Sequence, residues 1–197
     1  MKKLFFSLLL LVNSVGAVQA QSDVSLGLKA GGTLSSFAGK QATDDKSLFG
    51  FHGGGFANIG FTDLFAFQPE IIYSQKGAKS SSSDLTTRLS YLDVPLAFHV
   101  NADGLFFEAG PQVGFLLAAK NKTGNVSVDT KSGYNTVDFG YLFGLGYQRK
   151  SGLGIGLRYN GGFTNIPKAV TTGNVTVQNN IRNSTFQLYL TYSFNGR

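Results

Sequence analysis

Eight segments of this chain alternate apolar and polar residues with a period of two. The last is the clearest. Phe186, Leu188, Leu190, Tyr192 and Phe194 fall on one face, and Gln187, Tyr189, Thr191 and Ser193 on the other. Successive side chains of a strand point to opposite sides, so this spacing predicts a strand with one apolar and one polar face. Similar alternation predicts strands over 24–33, 48–60, 64–76, 89–100, 105–119, 137–147 and 153–163. The connections alternate in length. Short polar links at 61–63, 101–104 and 149–152 read as hairpin turns, and long polar stretches occupy 35–47, 77–88, 120–136 and 164–184.

The polar face decides which way the strands face. It carries Lys29, Glu70, Asp93, Glu108, Asp138 and Arg158 among many glycines. The interior of an eight-stranded barrel is just wide enough to be filled by side chains, and small residues with paired charges suit that space. The opposite face is rich in Phe and Tyr, which suit lipid and its interfaces. The expected fold is therefore all-β: an eight-stranded antiparallel up-and-down transmembrane β-barrel. The long and short connections match long external loops and short periplasmic turns, with both chain ends in the periplasm.

The N-terminus reads as an export signal. Lys2 and Lys3 precede an apolar run over 4–12, and Val18-Gln19-Ala20 forms a small-x-small cleavage site. Residues 1–20 are expected to be a cleaved signal peptide, and 21–197 the barrel domain of a Gram-negative outer membrane. Loss of Lys2 and Lys3 leaves 15 basic residues against 11 acidic, a net charge of +4. That balance is too mild to argue for nucleic acid. The chain has no cysteine and only two histidines, His52 and His99, which excludes thiol chemistry and leaves little for an imidazole metal site. The 26 glycines beside 18 Phe and 8 Tyr give a barrel-like composition.

Four stretches resemble the PorT-like family of small outer-membrane β-barrel proteins. They are Phe67-Gln68-Pro69-Glu70-Ile71-Ile72-Tyr73-Ser74-Gln75-Lys76-Gly77, Tyr91-Leu92-Asp93-Val94-Pro95-Leu96, Ala109-Gly110-Pro111-Gln112-Val113-Gly114 and Asp138-Phe139-Gly140. The resemblance covers nearly all of the chain after residue 20. It implies an outer-membrane barrel and little about activity, because a shared fold does not carry a function with it.

No catalytic, cofactor or metal site is expected. Glu70, Asp93, Glu108 and Asp138 read as partners of Lys29 and Arg158, and of Lys76, in a structural interior charge network, because buried charges must be paired. Ser90, Asp93 and His99 are close in sequence, but Ser90 and His99 lie roughly 30 Å apart along a strand, too far for a triad. The long loops carry Lys40, Lys46, Lys79, Arg88, Lys120, Lys122, Lys131, Lys168 and Arg182. Ordinary solvated loop charge is the preferred reading, with contact to lipopolysaccharide phosphates as its alternative. Pro69, Pro95 and Pro111 fall in consecutive strands and are expected to interrupt the ladder, since proline donates no hydrogen bond. The function expected is a structural or surface-interaction role for a barrel with a filled lumen. A small porin is the alternative, and a lipid-modifying enzyme a more distant one. The partners expected are outer-membrane lipid and lipopolysaccharide, the barrel-assembly machinery during insertion, and a protein partner at the external loops.

Overall fold

The computed structural model describes residues 23–42, 45–173 and 175–194. The signal segment expected over 1–20 lies outside them. Eight long strands form the wall: β1 (Asp23–Ala38), β2 (Asp45–Gly60), β3 (Phe65–Ser80), β4 (Leu85–Ala102), β5 (Leu105–Thr123), β7 (Val137–Gln148), β8 (Leu153–Gly162) and β11 (Arg182–Ser193). Each pairs antiparallel with its neighbours in sequence order, and β11 returns to pair with β1. The Phe194 amide continues this seam by donating to the Leu26 carbonyl at 2.8 Å. The sheet is thus a closed eight-stranded barrel, and closure leaves no unpaired edge around the wall.

The faces follow the alternation. Leu188 and Leu190 are 58% and 64% exposed, whereas Gln187, Tyr189 and Thr191 between and beyond them are buried in the lumen. The turns at one end are tight. Asp103 (φ 48°) and Gly104 (φ 90°) both take the left-handed conformation, as a two-residue Asp-Gly hairpin turn requires.

Beyond the other end, the strands run further than the alternation does. β1 to β5 span 16 to 19 residues, while β7, β8 and β11 span 10 to 12. Crossing a bilayer takes about 9–11 residues. Much of the sequence expected as loop at 35–47, 77–88 and 120–136 is therefore strand, leaving only 81–84 between β3 and β4. The reason is physical. Period-two apolar–polar alternation marks a strand with lipid on one side, and a strand whose outer face stands above the lipid has no apolar outer face to reveal it. The wall is consequently tall along β2–β5 and low along β7 and β8. Two short hairpin pieces stand above it: β6 (Val126–Asp129), which pairs back onto β5, and the pair β9 (Val170–Thr172) and β10 (Val175–Val177).

Pairing lapses beside the three prolines without a change of register. The β3–β4 ladder skips from Pro69↔Leu96 to Ile72↔Asp93, and the β4–β5 ladder from Pro95↔Gln112 to Phe98↔Ala109. Beside Pro111 the β5–β7 ladder stays continuous.

The outward face of β11 gives a depth-dependent test. A cation facing lipid at mid-depth costs about 2–4 kcal/mol and about 0–1 near an interface. Leu190→Arg should therefore destabilise the barrel by about 2–4 kcal/mol, and Phe194→Arg, at the rim, by about 0–1 kcal/mol. Urea unfolding in lipid vesicles measures both.

Candidate functional site

The lumen holds the chemistry, arranged in layers. At its centre, the Arg158 guanidinium from β8 lies between two carboxylates. Nη1 donates to Glu70 Oε2 (2.9 Å) and Nη2 to Glu70 Oε1 (2.8 Å). Nε donates to Glu108 Oε1 (2.8 Å) and Nη2 to Glu108 Oε2 (2.5 Å). Lys29 Nζ donates to Glu70 Oε1 at 2.6 Å and sits 4.2 Å from the centre of the Tyr189 ring. Tyr189 Oη donates to Glu108 Oε1 and Gln68 Nε2 to Glu70 Oε1, both at 2.8 Å. Two cations face two carboxylates, so the group is neutral. Each carboxylate takes a two-pronged guanidinium contact, the geometry in which buried ion pairs recover most of their desolvation cost.

Glycines opposite these side chains make the space. A Cβ added at Gly144 would lie 2.7 Å from Glu108 Oε1, and one at Gly156 would lie 2.4 Å from the Tyr189 ring. The narrow lumen holds a long arginine and a tyrosine because the facing strands present only backbone.

A second group lies nearer the long-loop end. Lys76 Nζ donates to Asp93 Oδ1 at 2.9 Å, and Ser74 Oγ donates to Asp93 Oδ2 at 2.5 Å. Asp138 stands apart: Asn183 Nδ2 donates to its Oδ2 at 2.8 Å, and no cation pairs with it among the described residues. The six charges expected as one network, with Lys76, thus divide into Lys29–Glu70–Arg158–Glu108, a Lys76–Asp93 pair, and Asp138 held by an asparagine. Above them lies an apolar plug: Leu89, Tyr91, Leu116, Ala119 and Ile166, with Phe37, Tyr134 and Ile181 against it. At the opposite end a cavity of about 540 Å³ opens among the short turns, lined by Asn58, Gln68, His99, Asn101, Gln148 and Thr191 among others.

Ser90 and His99 lie on opposite faces of β4. Tyr73 Oη donates to Ser90 Oγ at 3.1 Å on the outside. His99 is inside, stacked on Phe106 with ring centres 5.0 Å apart and Nε2 3.4 Å from Glu108 Oε2. His52 contacts Thr33, with Nδ1 2.9 Å from Oγ1. Among the described residues, no serine is hydrogen-bonded to either histidine.

Tyr189 and Ile166 are among the contributors that sequence reasoning left unmarked. Tyr189 sits on the polar face of β11 between Gln187 and Thr191, where an aromatic among polar residues is the signal for a lumen-filling ring. Ile166 lies in the connection between β8 and β11, with no periodicity to mark its insertion.

A closed antiparallel barrel with lipid-suited aromatics outside and charged residues sealed inside is a transmembrane outer-membrane barrel. A family model described as outer membrane protein beta-barrel domain matches residues 19–168, and the chain belongs to that family. In barrels of this kind the short turns face the periplasm and the longer connections the outside. Among solved structures, Neisserial surface protein A matches with TM-score 0.55 and 15% identity, over 87% of this chain and 99% of that one. Ail, the attachment invasion locus protein of Yersinia pestis, matches with TM-score 0.51 and 15% identity, over the same shares. No curated protein sequence matches the chain.

Arg158 is the residue to test. Removing one partner of a buried, hydrogen-bonded charge group costs about 3–5 kcal/mol, because the other charges stay buried. Arg158→Leu leaves Glu70 and Glu108 with Lys29 alone, so it should lower stability by about that amount. Arg158→Leu with Glu108→Gln should recover part of the loss by restoring neutrality. The temperature at which the folded band disappears in a heat-modifiability gel reads both.

Proposed function

We propose that this barrel acts at its surfaces and not as a pore. The observation that carries this is the lumen itself: a neutral, hydrogen-bonded cluster around Arg158 lies at its centre, with the Leu89–Leu116–Ile166 cluster above. Opening a path for ions would break several buried charge-assisted bonds and strip the plug at once. The role is structural or interactive, with the tall β2–β5 wall and the hairpins above it as the surface offered to lipid or to a partner protein. Catalysis is not part of this reading. Residues 1–20 serve as the cleaved export signal, and insertion passes through the barrel-assembly machinery. The stretches at 67–77 and 91–96 support a place among the PorT-like barrels.

Conductance decides it. In planar bilayers the purified barrel should show no steady ionic current. Reproducible single-channel steps would overturn the closed-lumen reading and put the small porin ahead, with the periplasmic cavity as its vestibule.

A further inference from the structure

The register of β3, β4 and β5 stacks outward-facing side chains into rows that change character with height. Tyr73, Leu92 and Phe115 share one row. Next come Gln75, Ser90 and Ala118, then Gly77, Arg88 and Lys120, then Lys79, Thr86 and Lys122. The side of the wall is fixed by the residues between these rows. Leu89 and Ala119, paired with each other, are fully buried in the plug, so Arg88 and Lys120 point away from it. Lys79, Lys120 and Lys122 are exposed, and Arg88 Nη1 donates to Gln75 Oε1 (2.8 Å) on the same outer surface. Lys46 of β2 is paired opposite Lys79 in the register.

We propose that Lys79, Arg88, Lys120 and Lys122 form a lateral site for the phosphate groups of a phosphorylated glycolipid of the outer leaflet. Three observations point to an amphiphile and not to a soluble anion. First, the site faces sideways from the wall, toward where lipid stands. Second, it continues an apolar surface. Phe51 and Tyr73 lie beneath it with ring centres 5.8 Å apart, and Tyr73 turns its hydroxyl up to Ser90, as a tyrosine does at a membrane interface. The cationic rows follow roughly 14 and 20 Å along the strands from the Tyr73 row, at about 3.4 Å per residue. Acyl chains against the lower rows would bring headgroup phosphates to the upper ones, and flexible Lys and Arg side chains close the remaining distance.

Third, the cations oppose one another. Arg88 sits directly across from Lys120, a like-charge pair that destabilises a sheet. Among the described residues no carboxylate lies within ion-pair distance of these four, although Asp129 is paired opposite Lys120 in the β6 hairpin. A phosphate between the rows would offset that repulsion with charge-assisted bonds from several donors. The sequence placed these cations in loops, whereas they stand in register on one face of a regular sheet.

The test uses the whole barrel in uncharged detergent, with binding read by native mass spectrometry. The probes are bis-phosphorylated lipid A, its dephosphorylated form, phosphatidylglycerol and inorganic phosphate. Lys79→Gln, Arg88→Gln and Lys122→Gln combined should weaken binding of phosphorylated lipid A by more than tenfold, at about fivefold per cation near an anionic headgroup. Lys40→Gln, Lys131→Gln and Lys168→Gln combined remove the same charge elsewhere on the external side and should change it less than about twofold on the same scale. Dephosphorylated lipid should bind parent and variant alike. Only molecules that keep the folded gel mobility are scored. If the triple variant fails to fold, Lys79→Gln and Lys122→Gln singly should each cost about fivefold. Unchanged binding in the Lys79 set would overturn the proposal, and so would equal loss in the Lys40 set. Phosphatidylglycerol binding as tightly as lipid A, or inorganic phosphate displacing it at equal concentration, would also overturn it.

Discussion

Everything in this molecule follows from having to satisfy backbone hydrogen bonds where no water is present. In the hydrocarbon layer an unpaired amide or carbonyl has no partner, so the sheet must close on itself. Closure at eight strands sets the width of the lumen, and that width admits side chains but little else. The interior is then a packing problem. Arg158 solves most of it: one guanidinium satisfies two carboxylates, and Lys29, Gln68 and Tyr189 take up the oxygen positions that remain. Glycines at Gly144 and Gly156 are the complement of those long side chains, so the glycine content is a consequence of the charge cluster as much as of the turns.

The same constraint explains why the two faces differ. Outside, the wall needs only to match lipid, and any bulky apolar or aromatic residue serves. Inside, each polar atom needs a partner at hydrogen-bond distance, so identities are specific. Asp138 shows how local this is. It shares the lumen with Lys76 and Arg158, yet it is held by Asn183. Its position on β7 faces β11 across the upper lumen, not the central cluster.

Height around the wall adds a second asymmetry. β2 to β5 rise above the apolar band while β7 and β8 stop near it, so one side of the barrel offers regular sheet above the membrane. There the outer surface stands above the apolar band, and its positions are free to carry charge without the cost of facing lipid. The Arg88 and Lys122 rows occupy this zone, next to the last aromatic row.

The fold was legible in the sequence because the lipid boundary writes itself into the chain as period-two alternation. The eight segments, the tight turn at Asp103-Gly104 and the inward placement of Lys29, Glu70, Asp93, Glu108, Asp138 and Arg158 can all be read one strand at a time. Three things could not. The strand extensions at 77–80, 85–88 and 120–123 carry no apolar–polar alternation, because their outward positions stand above the lipid and are small, polar or charged. Partners within the lumen depend on register and tilt across strands, so the chain cannot say that Arg158 takes Glu70 and Glu108 while Asp93 takes Lys76. Ile166 reaches the plug from a connection whose path only the closed wall defines. One-dimensional pattern determines which face a residue occupies, because that depends on the strand's own geometry and the solvent beside it. Which residues meet across the lumen is decided by closure, because closure alone fixes the height at which each strand passes its neighbours.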